Sequence, residues 1–87
     1  MTMIVRKPTN DEIFLTHKWG FWSKEPSEFQ WDYDQKETCY ILRGKAEVVS
    51  SEGEKISFQQ GDWVIFEQGL KCSWKISEKI EKKFNFE

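Results

Sequence analysis

The chain has 87 residues, with 13 basic and 15 acidic side chains and a formal net charge of −2. That length suits one domain, residues 1–87, and the scattered, balanced charge excludes a basic face for nucleic acid. No apolar run reaches the roughly 18 residues of a membrane span, and the start carries none of signal-peptide length, so a cytoplasmic protein with no membrane partner is expected, its Cys39 and Cys72 reduced.

Thr9-Asn10-Asp11-Glu12 matches the capping-box pattern. It predicts a short helix on which Ile13, Phe14 and Leu15 form a greasy face and which ends near His17, before Gly20. From there the period is two. Phe29, Trp31 and Tyr33 alternate with Glu28, Gln30 and Asp32, as in a half-buried strand. Residues 38–42 and 46–49 read as β-prone runs on either side of Gly44, and residues 51–54 as a turn before a strand at 55–58. Gln60-Gly61-Asp62 is the next turn, residues 63–66 a short apolar strand, and residues 67–69 another turn. Over residues 70–76, Cys72, Trp74 and Ile76 share one face while Lys71, Ser73 and Lys75 share the other. Lys79-Ile80-Glu81-Lys82-Lys83 reads as a solvated edge strand guarded by lysines, and Phe84 and Phe86 repeat the alternation at the end.

Short strands separated by Gly-containing turns argue an antiparallel sandwich or a small barrel, since closure hides strand edges cheaply in a short chain. Five Trp, seven Phe and two Tyr supply large apolar surface for a core that must be small. One His and two Cys outside any CxxC pattern exclude zinc-finger spacing.

Two stretches carry a more specific signal. In WDYDQKETCYILRG, residues 31–44, Glu37 and Gly44 stand in the spacing of the first cupin motif, with Trp31 and Tyr33 where that motif has its two histidines. GDWVIFEQGLKC, residues 61–72, follows the second motif, with Glu67 in place of proline and Cys72 in place of histidine. Over about residues 20–86 the chain resembles a cupin, and ETCYILRGKAEV and GDWVIFEQGLKCSWKI resemble more narrowly the (S)-ureidoglycine aminohydrolase cupin-domain branch. The resemblance implies an all-β double-stranded β-helix, the RmlC-like jelly-roll barrel, with a short N-terminal helix. It also implies a metal held at four positions, which here read Trp31, Tyr33, Glu37 and Cys72. Indole has no free lone pair to offer and a neutral phenol is a poor ligand, so Glu37 and Cys72 alone remain, too few for a divalent ion. No metal and no other cofactor is therefore expected.

If the alternation holds, Trp31, Tyr33, Glu37, Cys39, Cys72 and Trp74 point into the barrel as an aromatic box with one carboxylate and two thiols. These side chains can simply plug the barrel. A carboxylate buried there nevertheless needs a cation, a donor or water beside it. One functional reading is a small-molecule binding pocket walled by Trp31, Tyr33 and Trp74 and anchored by Glu37, suited to an amine. The other is an enzyme acting on a small nitrogen compound, aminohydrolase-like, with Glu37 as general base at a raised pKa or Cys72 as nucleophile. Cys72 has no histidine at any motif position to activate it, and an inward free Cys usually serves as core. Lys71 and Glu67 read as surface charge at the barrel rim. Trp19 and Trp22 either cap the barrel or line a dimer contact, and outward-facing Tyr40 and Leu42 suit a homodimer.

Overall fold

The structure, a computed structural model, describes residues 3–87. The chain runs β1 (Met3–Arg6), α1 (Asn10–Leu15), a single 3₁₀ turn (Thr16–Lys18), β2 (Gly20–Lys24), β3 (Ser27–Asp32), β4 (Glu37–Ser50), β5 (Lys55–Gln59), β6 (Trp63–Phe66) and β7 (Lys71–Phe86). Every strand pairing is antiparallel.

Two long strands organise the fold. The runs at 38–42 and 46–49 are one 14-residue strand, β4, and the run at 70–76 continues to Phe86 as the 16-residue β7. The first half of β4 pairs with β6 and the second half with β5. Likewise β3 pairs with residues 71–76 of β7, and β2 with residues 80–84. One layer thus has the order β1-β6-β4-β7-β2, while β5 and β3 flank the other halves of β4 and β7. The layers meet through aromatic rings: Phe66 of β6 lies 6.3 Å from Phe58 of β5 and 5.5 Å from Trp74 in the first half of β7. Burying each such side chain contributes about 1.5–3 kcal/mol, so this cluster is a large part of a small core.

Gly44 marks the place where β4 changes layer. The β4–β7 register shifts between Ile41 and Ala46, so that Glu37, Cys39 and Ile41 point inward before it and Ala46, Val48 and Ser50 after it. A one-residue slip reverses every later side chain, and the bulge uses that reversal to keep both halves facing the core. Gly44 has φ +99°, and a Cβ there would overlap the backbone carbonyl of Lys79 on β7. Only glycine permits both the dihedral and the close approach.

The capping box forms as read: Thr9 Oγ1 accepts from Glu12 N at 3.2 Å and Glu12 Oε1 accepts from Thr9 N at 2.9 Å. Glu12 also receives both Arg6 guanidinium nitrogens, at 2.6 and 2.8 Å, which ties the helix to β1. The greasy face does not pack inward, however. Phe14 is 73% exposed and Leu15 is exposed too, because a six-residue helix tethered at its N-terminus does not reach over the sheet. Strands β1 and β2 were not expected; each is too short to show a period and takes its conformation from its partner, β6 or β7.

The lysine-rich tail is also corrected. Residues 79–83 lie in β7, where residues 81–83 pair with β4 on one side and β2 on the other, so this segment is no edge strand. Lys82 is buried at 5% exposure, because it stands in the same phase as Ile80 and Phe84.

Candidate functional site

Between the layers a cavity of about 180 Å³ remains. Trp22, Phe29 and Trp74 wall it, and Trp31, Phe84 and Phe86 lie toward its mouth. At its depth sit Tyr33, Glu37 and Lys82. The volume is of the order of the roughly 150 Å³ apolar cavity that accommodates benzene.

The walls follow from strand register. Phe29 faces Trp74 across β3 and β7, and their rings stack at 5.7 Å with 16° between planes. Trp22 faces Lys82 across β2 and β7 and closes on Trp74 from the opposite layer at 5.9 Å. Tyr33, just past β3, is held by two backbone hydrogen bonds: its N–H donates to Leu70 O at 2.8 Å, and Gly69 N–H donates to Tyr33 O at 2.7 Å. Its ring stacks on Phe66 at 4.8 Å.

The polar depth of the cavity is an ion pair. Lys82 Nζ donates to Glu37 Oε2 at 2.8 Å, and the carboxylate is only 3% exposed. The same ammonium lies 4.7 Å from the ring centre of Trp22 and 4.9 Å from that of Trp74, within cation–π range of both. Glu37 thus has an internal cation as partner, which removes the premise of a lone carboxylate among aromatics that the general-base reading used. Of the walls expected for a ligand amine, Trp74 already faces the protein's own ammonium, and a second cation beside it would meet repulsion.

Of the residues singled out from the sequence, Tyr33, Glu37 and Trp74 line the depth of this cavity. Trp31 lines it as well but is 49% exposed, at the mouth rather than inside. Cys39 and Cys72 are buried free thiols outside the cavity lining; Cys72 Sγ donates weakly to Trp31 O at 3.5 Å. Desolvation pushes the Cys39 thiol up to about 12 and the Cys72 thiol up to about 11, so both stay protonated at neutral pH. Burial, and secondly the Glu37 charge, raises the Tyr33 phenol well above its usual value, which keeps it neutral. Trp19 packs on Trp63 at 5.2 Å, away from the cavity, whereas Trp22 belongs to it.

Lys82, Trp22 and Phe29 were missed as site residues. For Lys82 a signal existed: Ile80, Lys82, Phe84 and Phe86 occupy alternate positions, in phase with apolar neighbours, and the inward Glu37 required a partner.

The four cupin ligand positions do not suit a divalent ion. Trp31 offers no lone pair, Tyr33 is a buried neutral phenol, Cys72 is a protonated thiol, and the Glu37 carboxylate is engaged by Lys82. Among the described residues, no group of three or more His, Cys, Asp or Glu is placed to hold a metal.

Residues 15–84 match the family model of the EutQ-like cupin domain. The chain belongs to that family. The cupin is 44% identical to a DUF861-family protein from Thermotoga maritima, covering 98% of this chain and 99% of that one, with a TM-score of 0.94. It also resembles the EutQ protein of Clostridium difficile, at 18% identity and a TM-score of 0.70, over 77% of this chain and 52% of that one. The ethanolamine utilization protein Q of Salmonella typhimurium matches at 16% identity and a TM-score of 0.70, over 99% and 58% of the two chains. The cupin thus spans little more than half the length of these two EutQ proteins, and at such identities the likeness concerns the fold. No curated protein matches the chain. Among the described residues no helix is long and apolar enough to cross a membrane.

Proposed function

We propose that this cupin binds a small, uncharged molecule in the cavity between its layers, one with a flat or compact apolar body and a head group that both donates and accepts hydrogen bonds. The observation that carries this reading is the Glu37–Lys82 pair at the depth of an aromatic pocket. The pair is neutral as a unit, so it does not select a charged ligand. It offers a carboxylate oxygen as acceptor and ammonium hydrogens as donors, which suits the N–H and C=O of an amide or ureido group. Stacking on Phe29 and Trp74 holds the body, and burial of its apolar surface supplies most of the affinity.

The likeness of residues 37–48 and 61–76 to the ureidoglycine aminohydrolase cupin domains supports a second reading along the same chemistry. In it the nitrogen compound is transformed rather than held, with Glu37 and Lys82 as the proton-handling groups. The donor set at the cupin ligand positions argues that any such activity proceeds without the usual metal.

Fluorescence titration tests the binding reading, since Trp22, Trp31 and Trp74 report directly on the cavity. Benzamide and phenylurea are expected to give a saturable change, and benzylamine none at pH 7. Saturable binding of benzylamine with no response to either neutral compound would overturn the proposal. Conversion of phenylurea, followed by ammonia release, would favour the catalytic alternative.

A further inference from the structure

Lys82 is the one lysine that is buried among the described residues, and it borders an open cavity rather than packed core. We propose that this ammonium is also a nucleophile in waiting, and that the cavity captures small aldehydes as an imine on Lys82 Nζ, with Glu37 as the proton carrier. The inference rests on the ligand pocket proposed above but adds a covalent step and a different chemical class of ligand.

Geometry supplies each requirement. A primary amine attacks only after losing a proton, and Glu37 Oε2 lies 2.8 Å from Nζ, within direct transfer distance. Trp22 and Trp74 hold the amine from two sides, at 4.7 and 4.9 Å, which restricts its rotamers while leaving its cavity side free for a carbonyl carbon. The apolar walls suit an alkyl or aryl aldehyde of benzene size, and exclusion of bulk water slows hydrolysis of the product.

The step balances without an oxidant or a second substrate. Glu37 takes one proton from the Lys82 ammonium, and the freed lone pair forms a bond to the carbonyl carbon as the C=O π pair moves to oxygen. That oxygen acquires the proton held by Glu37 together with the proton lost from nitrogen, and leaves as water. The nitrogen keeps its third proton, so the product is the protonated imine R–CH=NH⁺–Lys82 paired with the restored Glu37 carboxylate, reversible by the same route. A lysine kept only to neutralise Glu37 would need no cavity at its side and no mouth to admit a ligand.

Trapping tests this directly. The protein is incubated with substoichiometric benzaldehyde and sodium cyanoborohydride at pH 7, digested and mapped by mass spectrometry, with the exposed Lys24 and Lys79 as internal references. Lys82 is expected to carry the benzyl group at least about tenfold more often than either, and Glu37→Gln to slow its labelling by about 100-fold or more. Because Glu37→Gln can fail to fold, the same reaction is run on the unaltered protein with pyrenecarboxaldehyde, too large for the cavity. That reagent is expected to label the exposed lysines and spare Lys82. Labelling of Lys82 no faster than Lys24 and Lys79, or equal labelling by both aldehydes, overturns the proposal. Benzamide binding with no trapping at Lys82 refutes the imine and leaves the pocket standing; trapping without benzamide binding does the reverse.

Discussion

Trp22 and Lys82 face one another across the β2–β7 ladder, and the register that pairs them sets the ammonium 4.7 Å from the indole ring centre and in hydrogen-bond contact with Glu37. A charge this deeply buried is stabilised by its neighbours or not at all. Removal from water costs several kcal/mol per ion, and a single contact at 2.8 Å together with two aromatic faces offsets that cost without a large surplus.

The ion pair should therefore show a characteristic asymmetry. Lys82→Met or Glu37→Leu alone is expected to destabilise the protein by about 3–5 kcal/mol, because each leaves an uncompensated buried charge. The double variant Glu37→Leu/Lys82→Met should recover most of that loss while abolishing benzamide binding. Denaturant unfolding followed by tryptophan fluorescence measures the first effect, and the titration described above measures the second. A double variant no more stable than the worse single one contradicts the argument.

Thiol chemistry gives an independent check on the site. With Cys72 pushed up to about 11, its thiolate fraction at pH 7 is about one in ten thousand. Neither cysteine should react appreciably with iodoacetamide in the folded protein, and both should react once guanidinium exposes them. Rapid labelling of Cys72 in the folded state would revive its candidacy as a nucleophile.

The helix tether titrates. Arg6 holds Glu12 at a pKa of about 2, below the ordinary carboxylate range. Between the unfolded value, near 4.3, and about 2, the unfolded chain binds the extra proton. The tether's contribution is therefore complete above roughly pH 5 and disappears as pH falls through about 2. Melting temperatures of the parent protein and Glu12→Gln should differ at neutral pH and converge toward pH 2. A difference independent of pH rules out the linkage.

Gly44 and Gly53 both have positive φ, at +99° and +90°, but differ in their surroundings. A Cβ at Gly44 would overlap the Lys79 carbonyl, whereas at Gly53 it meets nothing within 4 Å. Gly53→Ala should cost about 1–2 kcal/mol, the dihedral penalty alone. Gly44→Ala should cost clearly more, since β4 and β7 must also separate where both long strands cross between layers. Equal losses in thermal denaturation would show that the contact is unimportant.

The alternation of Phe29, Trp31 and Tyr33, and of Cys72, Trp74 and Ile76, marked the inner surface well, and the glycines at 44, 61 and 69 marked real turns or bulges. The capping box at Thr9–Glu12 was legible because both of its partners lie within one helical turn. The exposure of Trp31 was not, since period two says which face of a strand a residue occupies but not how far along the barrel the other layer still covers it.

Local pattern thus determined an antiparallel β fold with an aromatic interior, and the cupin type was legible in the resemblance of residues 31–44 and 61–72 to the two cupin motifs, in which Trp31, Tyr33 and Cys72 stand where histidines would. These features depend on residues close in sequence, where periodicity and turn chemistry act directly. Tertiary structure alone decided the chemistry of the interior. Glu37 and Lys82 are 45 residues apart, and only the pairing of β4 and β7 brings them together. A lysine in a charged tail looks solvated until both neighbouring strands are in place; once they are, desolvation leaves its ammonium no partners but the carboxylate and the rings around it.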